Sequence, residues 1–430
     1  MKPLFTMKDG SFQIEIYGGY CEIGGNCVVI RDSDRKIVFD NGVRFSILKR
    51  YYRGRVQPLG TTELRSLGII PPLEIFEDAD VVYISHLHLD HLGLLGALPH
   101  GVKVFVPSLQ ILEVIEEWYR GSPTWLANLP HSIGVETLEI KPLQEDIFSV
   151  RAIPVSHSAY PSYSFIYYGY NQTVFYSGDL RANGPLGARR DTISDIRNGI
   201  DDTEIDVAFI EGTNIGDAET PIGADEFRSI INKLLMRNSL VTISVDPLDF
   251  EMLTAVSELA TFAGRTLVLA SPRIIDLAPI WLEEFRPKLD SGLGVAMELE
   301  KPVMFPTELI SIRDDVFRSP GNYLVIQEPV GYLDMLRQMR LWEERLPIDS
   351  ITVLTSPEPL EAEAEAEEIA LVTWLLSLGV QVYRVRVSGH YYPFEFQKLV
   401  RAIKPRTLVP IHTKHPGIVH SLYKTLSSIT

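Results

Sequence analysis

Cysteine and long hydrophobic runs are both scarce in this sequence. Its 430 residues include two cysteines, Cys21 and Cys27, too few for a disulfide framework. We therefore expect free thiols and a cytoplasmic location. The most apolar stretch, residues 371–383, is too short for a membrane span and contains Ser, Gly and Gln. Residues 1–16 carry no apolar signal-peptide core, so we expect neither a membrane segment nor a secretory signal.

Positively charged residues are also fewer than negatively charged ones. The chain has 40 Lys and Arg against 56 Asp and Glu, which gives a formal net charge of −16. Binding to duplex nucleic acid depends on neutralising phosphates, so this balance argues against a broad basic surface. It leaves room for a local basic groove. An apolar content of 45% and a charged content of 22% are typical of a globular protein, and the length allows two or three domains.

The spacing of apolar residues changes near residue 220. Before that point short β-like runs alternate with turns, and residues 44–78 are predicted to be a loop with short helices. After it, helices alternate with apolar strands; the helices Ala224–Arg237 and Phe250–Phe262 are examples. This alternation predicts a parallel sheet covered by helices.

The stretch Ser85–Leu95 carries the strongest chemical signal. Directly after the predicted strand Val81–Ile84, it reads His-x-His-x-Asp-His, so it holds three of the ten histidines of the chain within six residues. Imidazole and carboxylate are ligands that Zn²⁺ accepts. The alternation of His86, His88 and Asp90 predicts an extended segment with these side chains on one face. His91 breaks the alternation, which predicts a turn into a helix across Leu92–Leu98.

Three later residues complete a candidate metal site. His157, Asp179 and His412 each follow the end of a predicted apolar strand, where loops that carry function tend to converge. A single histidine or aspartate in such a place is more often a surface or turn residue. Together with the histidine motif they predict a metal centre. The remaining histidines outside the motifs, which we expect at the surface without a role, are His100, His131, His415 and His420.

This set of motifs resembles the metallo-β-lactamase-fold hydrolases. Gly18–Ile30 is similar to the opening of the RNA-processing branch of that superfamily. Glu211-Gly212-Thr213, Ser388-Gly389-His390 and Pro410-Ile411-His412 resemble motifs A, B and C of its β-CASP group, which includes ribonuclease J. The resemblance covers residues 12–215 and 380–415.

The resemblance implies an α/β fold class: a four-layer αββα metallo-β-lactamase sandwich with an inserted α/β β-CASP domain, a parallel sheet flanked by helices. The expected domains are residues 1–215 for the first part of the sandwich, 216–382 for the insertion and 383–430 for the completion of the sandwich.

The resemblance also implies a two-zinc site, with Mn²⁺ as an alternative metal. One ion would be held by His86, His88 and His157, the other by Asp90, His91 and His412, with Asp179 between them. Two such ions can activate a hydroxide that attacks phosphorus.

Five residues receive catalytic or substrate-binding roles from the same resemblance. Asp90 would orient the hydroxide, and His390 would stabilise charge or donate to the leaving oxygen. Glu211 would accept an N–H from a ligating histidine. Ser388 and Gly389 would contact the substrate phosphate together with His390.

The expected function is a zinc-dependent phosphodiesterase, a ribonuclease that cleaves single-stranded RNA as an exonuclease or endonuclease, with DNA as an alternative substrate and a homodimer as an expected assembly. One alternative is a hydrolase of the same fold acting on a small phosphodiester, nucleotide, thioester or lactone. A second is a nucleic-acid-binding protein with a vestigial site. Tyr391 and Tyr392 would either stack on a base or pack in the interior, and we favour packing.

Overall fold

The computed structural model describes residues 2–120, 131–216, 222–338, 346–347, 349–355 and 362–428. The chain divides into two compact units. The first unit consists of residues 1–182, 191–219 and 389–430, and the second unit of residues 183–190 and 220–388. The resemblance places the domain boundaries after residues 215 and 382, a few residues before the divisions between the two units at residues 219 and 388. The expected domains themselves stay a prediction.

The strands of the described residues are, in chain order, β1 Phe5–Asp9, β2 Phe12–Gly18, β3 Cys27–Asp32, β4 Arg35–Phe39, β5 Val81–Tyr83, β6 Lys103–Val106, β7 Glu136–Glu139, β8 Val150–Val155, β9 Ser162–Tyr168, β10 Thr173–Tyr176, β11 Val207–Glu211, β12 Val241–Ser244, β13 Thr266–Leu269, β14 Leu293–Ala296, β15 Glu308–Ile310, β16 Tyr323–Gln327, β17 Ile351–Leu354, β18 Gln381–Arg384 and β19 Thr407–Ile411.

The α-helices of the same residues are α1 Phe45–Tyr52, α2 Thr61–Ser66, α3 Glu74–Glu77, α4 Leu89–Leu92, α5 Leu109–Arg120, α6 Thr192–Ile200, α7 Ala224–Arg237, α8 Phe250–Phe262, α9 Pro272–Phe285, α10 Pro329–Gln338, α11 Ala362–Ser377, α12 Phe396–Ile403 and α13 Pro416–Ser427. None of the helices that the structure describes is long and apolar enough to cross a membrane.

Two sheets form the centre of the first unit. The seven-stranded sheet has the order β1-β2-β3-β4-β5-β6-β7, antiparallel up to β4 and parallel from there on. The five-stranded sheet has the order β19-β11-β10-β9-β8. Alternate side chains of β2 and β4 point into one shared apolar core with side chains of β9 and β11, as the period of two requires.

Helices cover the outer face of the five-stranded sheet. Apolar side chains of α6 and α12 pack against the alternate residues of β8, β10 and β11 in a second core. The parallel pairing of β11 with β10 and β19 brings three strand ends together at one edge of this sheet. That edge carries Asp179, Glu211 and His412, each just past or at the end of its strand.

The second unit is a seven-stranded sheet in the order β15-β14-β13-β16-β12-β17-β18, and every neighbouring pair is parallel. Its helices α7 and α8 have the bounds predicted from the sequence. The predicted α/β fold class is confirmed. Sequence periodicity missed β14 and β15, because runs of three or four residues are too short to display a period.

Candidate metal centre

The histidine motif adopts a conformation that differs from the predicted one. Strand β5 ends at Tyr83, residues 85–88 form bends, and α4 begins at Leu89, so Asp90 and His91 lie on a helical turn. The predictions of an extended segment through Asp90 and of a helix across Leu92–Leu98 are wrong. A short 3-10 turn at Leu95–Ala97 is all that follows α4 before β6.

Hydrogen bonds from distant parts of the first unit explain this conformation. The amides of Asn26, Asn41 and Val43 donate to the carbonyls of Asp90, His91 and Leu89, at 2.8–3.0 Å. The amide of Gly93 donates to the carbonyl of Leu89 at the end of the turn, whereas the carbonyls of Asp90 and His91 have no intrahelical partner among the described contacts, so the tertiary bonds satisfy them. The local alternation of side chains cannot anticipate such bonds.

Glycine permits the closest of these approaches. At Gly24, where φ is +77°, a Cβ would lie 2.7 Å from Oδ2 of Asp90. At Gly42 a Cβ would overlap the carbonyl oxygen of Asp90 at 1.8 Å. Two glycines therefore allow the backbone to enclose Asp90 from both sides.

All seven predicted ligands lie together in the first unit. They form two groups in which the ligand atoms are within 4.8 Å of one another. We call His86, His88 and His157 the triple-histidine group. Asp90, His91, Asp179 and His412 form the carboxylate group. Every one of these side chains except His88 is buried, and His88 is half-buried.

Asp179 faces both groups. Its Oδ2 lies 3.0 Å from Nε2 of His91 and 3.4 Å from Nε2 of His412 in the carboxylate group. The same oxygen lies 4.0 Å from Nε2 of His86 and of His157 in the triple-histidine group. Asp179 is thus the one described carboxylate within 4.0 Å of imidazoles from both groups.

In four of the imidazole rings Nδ1 points away from the centre of the site. Nδ1 of His86 contacts the Ser85 hydroxyl at 3.1 Å, and Nδ1 of His157 donates to the Gly389 carbonyl at 2.6 Å. Nδ1 of His91 and of His412 also bond outward, to Asp40 and to Thr213. With Nδ1 protonated, Nε2 of each ring presents a lone pair to the interior.

The two groups differ in electrostatics. Burial and the neighbouring imidazoles lower the pKa of His86 well below its usual value. Burial also lowers the pKa of His157. For His91, burial opposes protonation, but Asp179, Asp40 and Asp90 outweigh it and raise the pKa well above the usual value. For Asp179, burial is outweighed by His412 and His91, which hold the pKa of the carboxyl well below its usual range.

This arrangement fits divalent cations. Nε2 of His86 and Oδ1 of Asp179 are buried and have no hydrogen-bond partner among the described residues. Such orphaned atoms cost roughly 1–3 kcal/mol each unless something binds them. Converging imidazole nitrogens and carboxylate oxygens form a donor set suited to Zn²⁺ or Mn²⁺. The site therefore has the chemistry of a divalent metal site, while the role of each individual ligand stays a prediction.

Asp40 is a residue of this site that lies outside the sequence motifs described above. It is fully buried, and its Oδ2 accepts hydrogen bonds from Nδ1 of His91 at 2.7 Å, from the Tyr176 hydroxyl at 2.6 Å and from the Ser85 hydroxyl at 2.9 Å. A carboxylate behind a ligating imidazole fixes its tautomer and raises its basicity. The available signal was its place at the end of the buried strand β4, beside the strand that leads into the histidine motif.

A second buried carboxylate, Glu211, connects His412 to His390. Nδ1 of His412 donates to Oγ1 of Thr213 at 2.8 Å, and that hydroxyl donates to Oε2 of Glu211 at 2.8 Å. Oε1 of Glu211 lies 3.1 Å from Nδ1 of His390. Glu211 was expected to bond a ligating histidine directly; among the described contacts it reaches His412 only through Thr213.

His390 lies at the mouth of the site. Its side chain is 13% exposed, its ring stacks on His412 with centroids 5.4 Å apart, and Nδ1 is 4.0 Å from Oδ2 of Asp179. Gly389 contributes the carbonyl that holds His157. Ser388 is buried and belongs to the second unit. The expected contact of residues 388–390 with a substrate phosphate stays a prediction.

Tyr391 and Tyr392 pack in the interior. Tyr391 is 2% exposed, and its hydroxyl donates to the carbonyl of Glu211. Tyr392 is also buried. The packing alternative is therefore the correct one, within the first unit. His100, His415 and His420 are exposed as expected, and His131 is half-buried.

Known proteins are similar to this chain in sequence. Residues 59–242 match the family model described as the Beta-lactamase superfamily domain. The chain is 25% identical to "Ribonuclease J" of Pyrococcus abyssi over 437 residues, which cover 95% of this chain and 91% of the relative. It is 21% identical to "Ribonuclease J" of Mycobacterium tuberculosis, over 96% of this chain and 70% of the relative.

A solved structure has the same fold along nearly the whole chain. It is described as "Crystal Structure of a Protein of Unknown Function from Enterococcus faecalis V583". The two structures superpose with a TM-score of 0.72 at 19% identity and cover 95% of each chain. The arrangement of strands and helices described above is therefore found in an experimental structure as well.

Proposed function

Because residues 59–242 match the Beta-lactamase superfamily domain and the chain is similar to ribonuclease J over nearly its whole length, we propose that it is a metal-dependent ribonuclease of the metallo-β-lactamase superfamily. The observation that carries the proposal is the cluster itself. Seven imidazole and carboxylate side chains converge beside His390 and Glu211 within the first unit.

The finer proposal concerns the metals and their ligands. We assign one Zn²⁺ to the triple-histidine group and one to the carboxylate group, with Asp179 shared between them and Mn²⁺ as an alternative. A pair of ions bound there supplies Lewis acidity, lowers the pKa of water and stabilises charge on a phosphoryl group.

Asp90 is proposed to orient the attacking water. Its carboxylate is buried, and its Oδ2 lies 3.2 Å from Nε2 of His412. Gly24 packs against the carboxylate and restricts its rotation. A fixed carboxylate can accept a hydrogen bond from water and hold it in line with the phosphorus.

His390 is proposed to donate the proton to the leaving oxygen. Glu211 accepts from Nδ1 of this ring, which leaves Nε2 to carry the transferable proton. With 13% of its side chain exposed, His390 is accessible to a substrate.

RNA is the proposed substrate, since the relatives named above are ribonucleases. We propose single-stranded rather than duplex RNA, because a net charge of −16 argues against a broad basic surface. We further propose that residues 216–382 form the inserted β-CASP domain. The expected homodimer and the expected cytoplasmic location stay predictions.

The test is cleavage of end-labelled single-stranded RNA and DNA by the zinc-loaded protein, analysed on denaturing gels. We expect RNA cleavage by the wild type, none by Asp90→Ala, and a kcat lowered about 10²–10⁴-fold by His390→Ala. The ladder of labelled products distinguishes exonuclease from endonuclease action, and RNAs that bear a 5′-monophosphate, 5′-triphosphate or 5′-hydroxyl show whether the enzyme recognises the 5′ end. Intact RNA alongside rapid hydrolysis of a thioester, lactone or small phosphodiester would contradict the proposal.

A further inference from the structure

The most basic part of the sequence lies just before the histidine motif. No carboxylate occurs between Asp40 and Glu63, although the whole chain carries a net charge of −16. That interval holds five cations, namely Arg44, Lys49, Arg50, Arg53 and Arg55. Four of them fall within residues 49–55. We call residues 49–56 the basic segment.

The structure places the basic segment at the end of α1 and in the turn after it. The apolar side of α1, formed by Phe45, Leu48 and Tyr52, is buried. Arg50, Arg53 and Arg55 are exposed, and within the described ranges none of their side chains has an ion pair or a hydrogen bond. The three guanidinium groups are thus available to an anionic partner.

The nearest carboxylate along the chain does not neutralise this charge. Oε1 of Glu63 accepts from the Tyr52 hydroxyl at 2.6 Å, and Oε2 accepts from the amide of Leu59 at 2.9 Å. Glu63 therefore closes the loop that follows α1, and both of its oxygens are engaged there.

A purely structural explanation covers only part of the basic segment. Cations in the last turn of a helix interact favourably with its dipole, which accounts for Lys49 and Arg50. It does not account for Arg53 and Arg55, which follow the helix. Nor does it explain Tyr51, a large aromatic side chain that is 52% exposed beside them.

Helix α1 connects the basic segment to residues beside the candidate metal centre, within the first unit. Helix α1 starts directly after Arg44, whose Nε bonds Glu22 at 2.7 Å and whose side chain packs on Gly25, next to the glycine that encloses Asp90. Eight helical residues span about 12 Å. Helix α1 therefore joins the basic segment directly to Arg44 and so to the residues that surround Asp90.

We propose that the basic segment binds the phosphates of the single-stranded nucleic acid substrate outside the metal centre, with Tyr51 as a stacking surface for a base. The proposal rests on the proposed nuclease function. A positively charged track with an exposed aromatic ring is the usual means of binding single strands without sequence preference. An anionic membrane fits less well, because the apolar side of α1 is already buried in the core.

The first experiment measures binding of a labelled single-stranded RNA by fluorescence anisotropy, with metal removed so that the RNA stays intact. The variant Arg50→Gln/Arg53→Gln/Arg55→Gln should bind about tenfold more weakly, and the dependence of log Kd on log salt should fall by about 0.7 for each lost phosphate contact.

The matched control is Lys398→Gln/Arg401→Gln/Lys404→Gln, on and just after α12. These side chains are also exposed, belong to the first unit, and give the same change in charge. Equal weakening in both triple variants would mean a general electrostatic effect and would overturn the proposal. Unchanged binding in the arginine variant would overturn it as well.

A second pair of variants tests the stacking surface. Tyr51→Ala should weaken RNA binding severalfold, whereas Tyr51→Phe should bind like the wild type, because stacking needs the ring and not the hydroxyl. Equal affinity of the alanine and phenylalanine variants would contradict a role for the ring. Thermal unfolding of each variant verifies that the fold is intact.

The final measurements separate this proposal from the proposed function. With zinc present, the arginine variant should raise KM for long RNA and leave kcat unchanged, while its hydrolysis of bis(4-nitrophenyl) phosphate should equal that of the α12 control. A wild type that binds RNA through the basic segment but cleaves no RNA would refute the nuclease and leave the binding surface standing. Binding to phosphatidylglycerol vesicles that is lost in the arginine variant, with unchanged affinity for RNA, would assign the segment to membranes instead.

Discussion

The two halves of the candidate metal centre are supported in different ways. In the triple-histidine group, His86 is backed by the Ser85 hydroxyl and His157 by the carbonyl of Gly389. In the carboxylate group, His91 is backed directly by the carboxylate of Asp40, and His412 reaches Glu211 through a hydroxyl. Carboxylate support makes an imidazole more basic and a better ligand.

From this difference we expect one ion to bind more tightly than the other. The carboxylate group contains two anionic ligands, and its histidines have raised pKa values. The triple-histidine group has neutral ligands, and the pKa values of His86 and His157 are lowered. We therefore expect two-step metal binding, with the carboxylate group filled first.

Asp179→Asn should have the largest effect, because this carboxylate faces both groups and its loss removes the distinction between them. We expect more than about a 100-fold loss of metal affinity in both steps, beyond what supporting residues contribute, and no measurable cleavage of RNA. Metal content after dialysis and calorimetric titration with Zn²⁺ measure this. The control is Asp206→Asn, a carboxylate of the same unit that pairs with Arg406 near the surface. Retention of one tightly bound ion in Asp179→Asn would show that Asp179 serves a single group.

Asp40→Asn should weaken only the first binding step. Nδ1–H of His91 would lose its anionic acceptor, and supporting residues of this kind contribute about 10–100-fold to metal affinity. Calorimetry should show the tight phase moving toward the weak one while the weak phase stays in place. The comparison variant is Ser85→Ala, which removes the hydroxyl that contacts His86 and also donates to Asp40, so it should weaken the weak phase and, to a smaller extent, the tight phase. If both variants lower both phases equally, the two groups are not independently supported.

Thr213→Val should give a smaller effect on the same tight step. The substitution removes the hydroxyl between His412 and Glu211 but keeps the volume, so we expect about a tenfold loss of affinity, near the lower end for such support. Thr213→Ser should restore it. Thr413→Val is the control, since this buried threonine is adjacent to His412 in sequence and its hydroxyl accepts from the amide of His415. Equal metal binding by the valine and serine variants at position 213 would remove Thr213 from the support of His412.

The sequence indicates which side chains are candidate ligands, but it does not indicate that the two groups are supported differently. The seven candidate ligands could be predicted because motif spacing and strand ends are local features. Asp40 could not be, because Asp-Asn-Gly after a strand has the composition of an ordinary turn, and its partner His91 lies 51 residues later. The helical start at Leu89 was missed for the same reason, since the amides that cap its carbonyls come from residues 26, 41 and 43.

The smallest expected effect is a difference in proton release between the two binding steps. For His91 and His412, burial opposes protonation, but Asp179 and the other carboxylates raise the pKa above the usual value near 6.5. Around neutral pH these rings therefore hold a proton more strongly than an ordinary imidazole does, and a cation that binds must displace it. His86 and His157, whose pKa values are lowered by burial, are already neutral at that pH.

Calorimetry at pH 7 in buffers with different ionisation enthalpies counts the protons released. The tight step should release about one or two protons and should strengthen as pH rises, because deprotonation of His91 and His412 then costs less. The weak step should release fewer protons and should depend less on pH between 7 and 8. His91→Gln should reduce the proton count of the tight step, while His86→Gln should not change it. Equal proton release in both steps would mean that the carboxylates behind His91 and His412 do not set the order of binding.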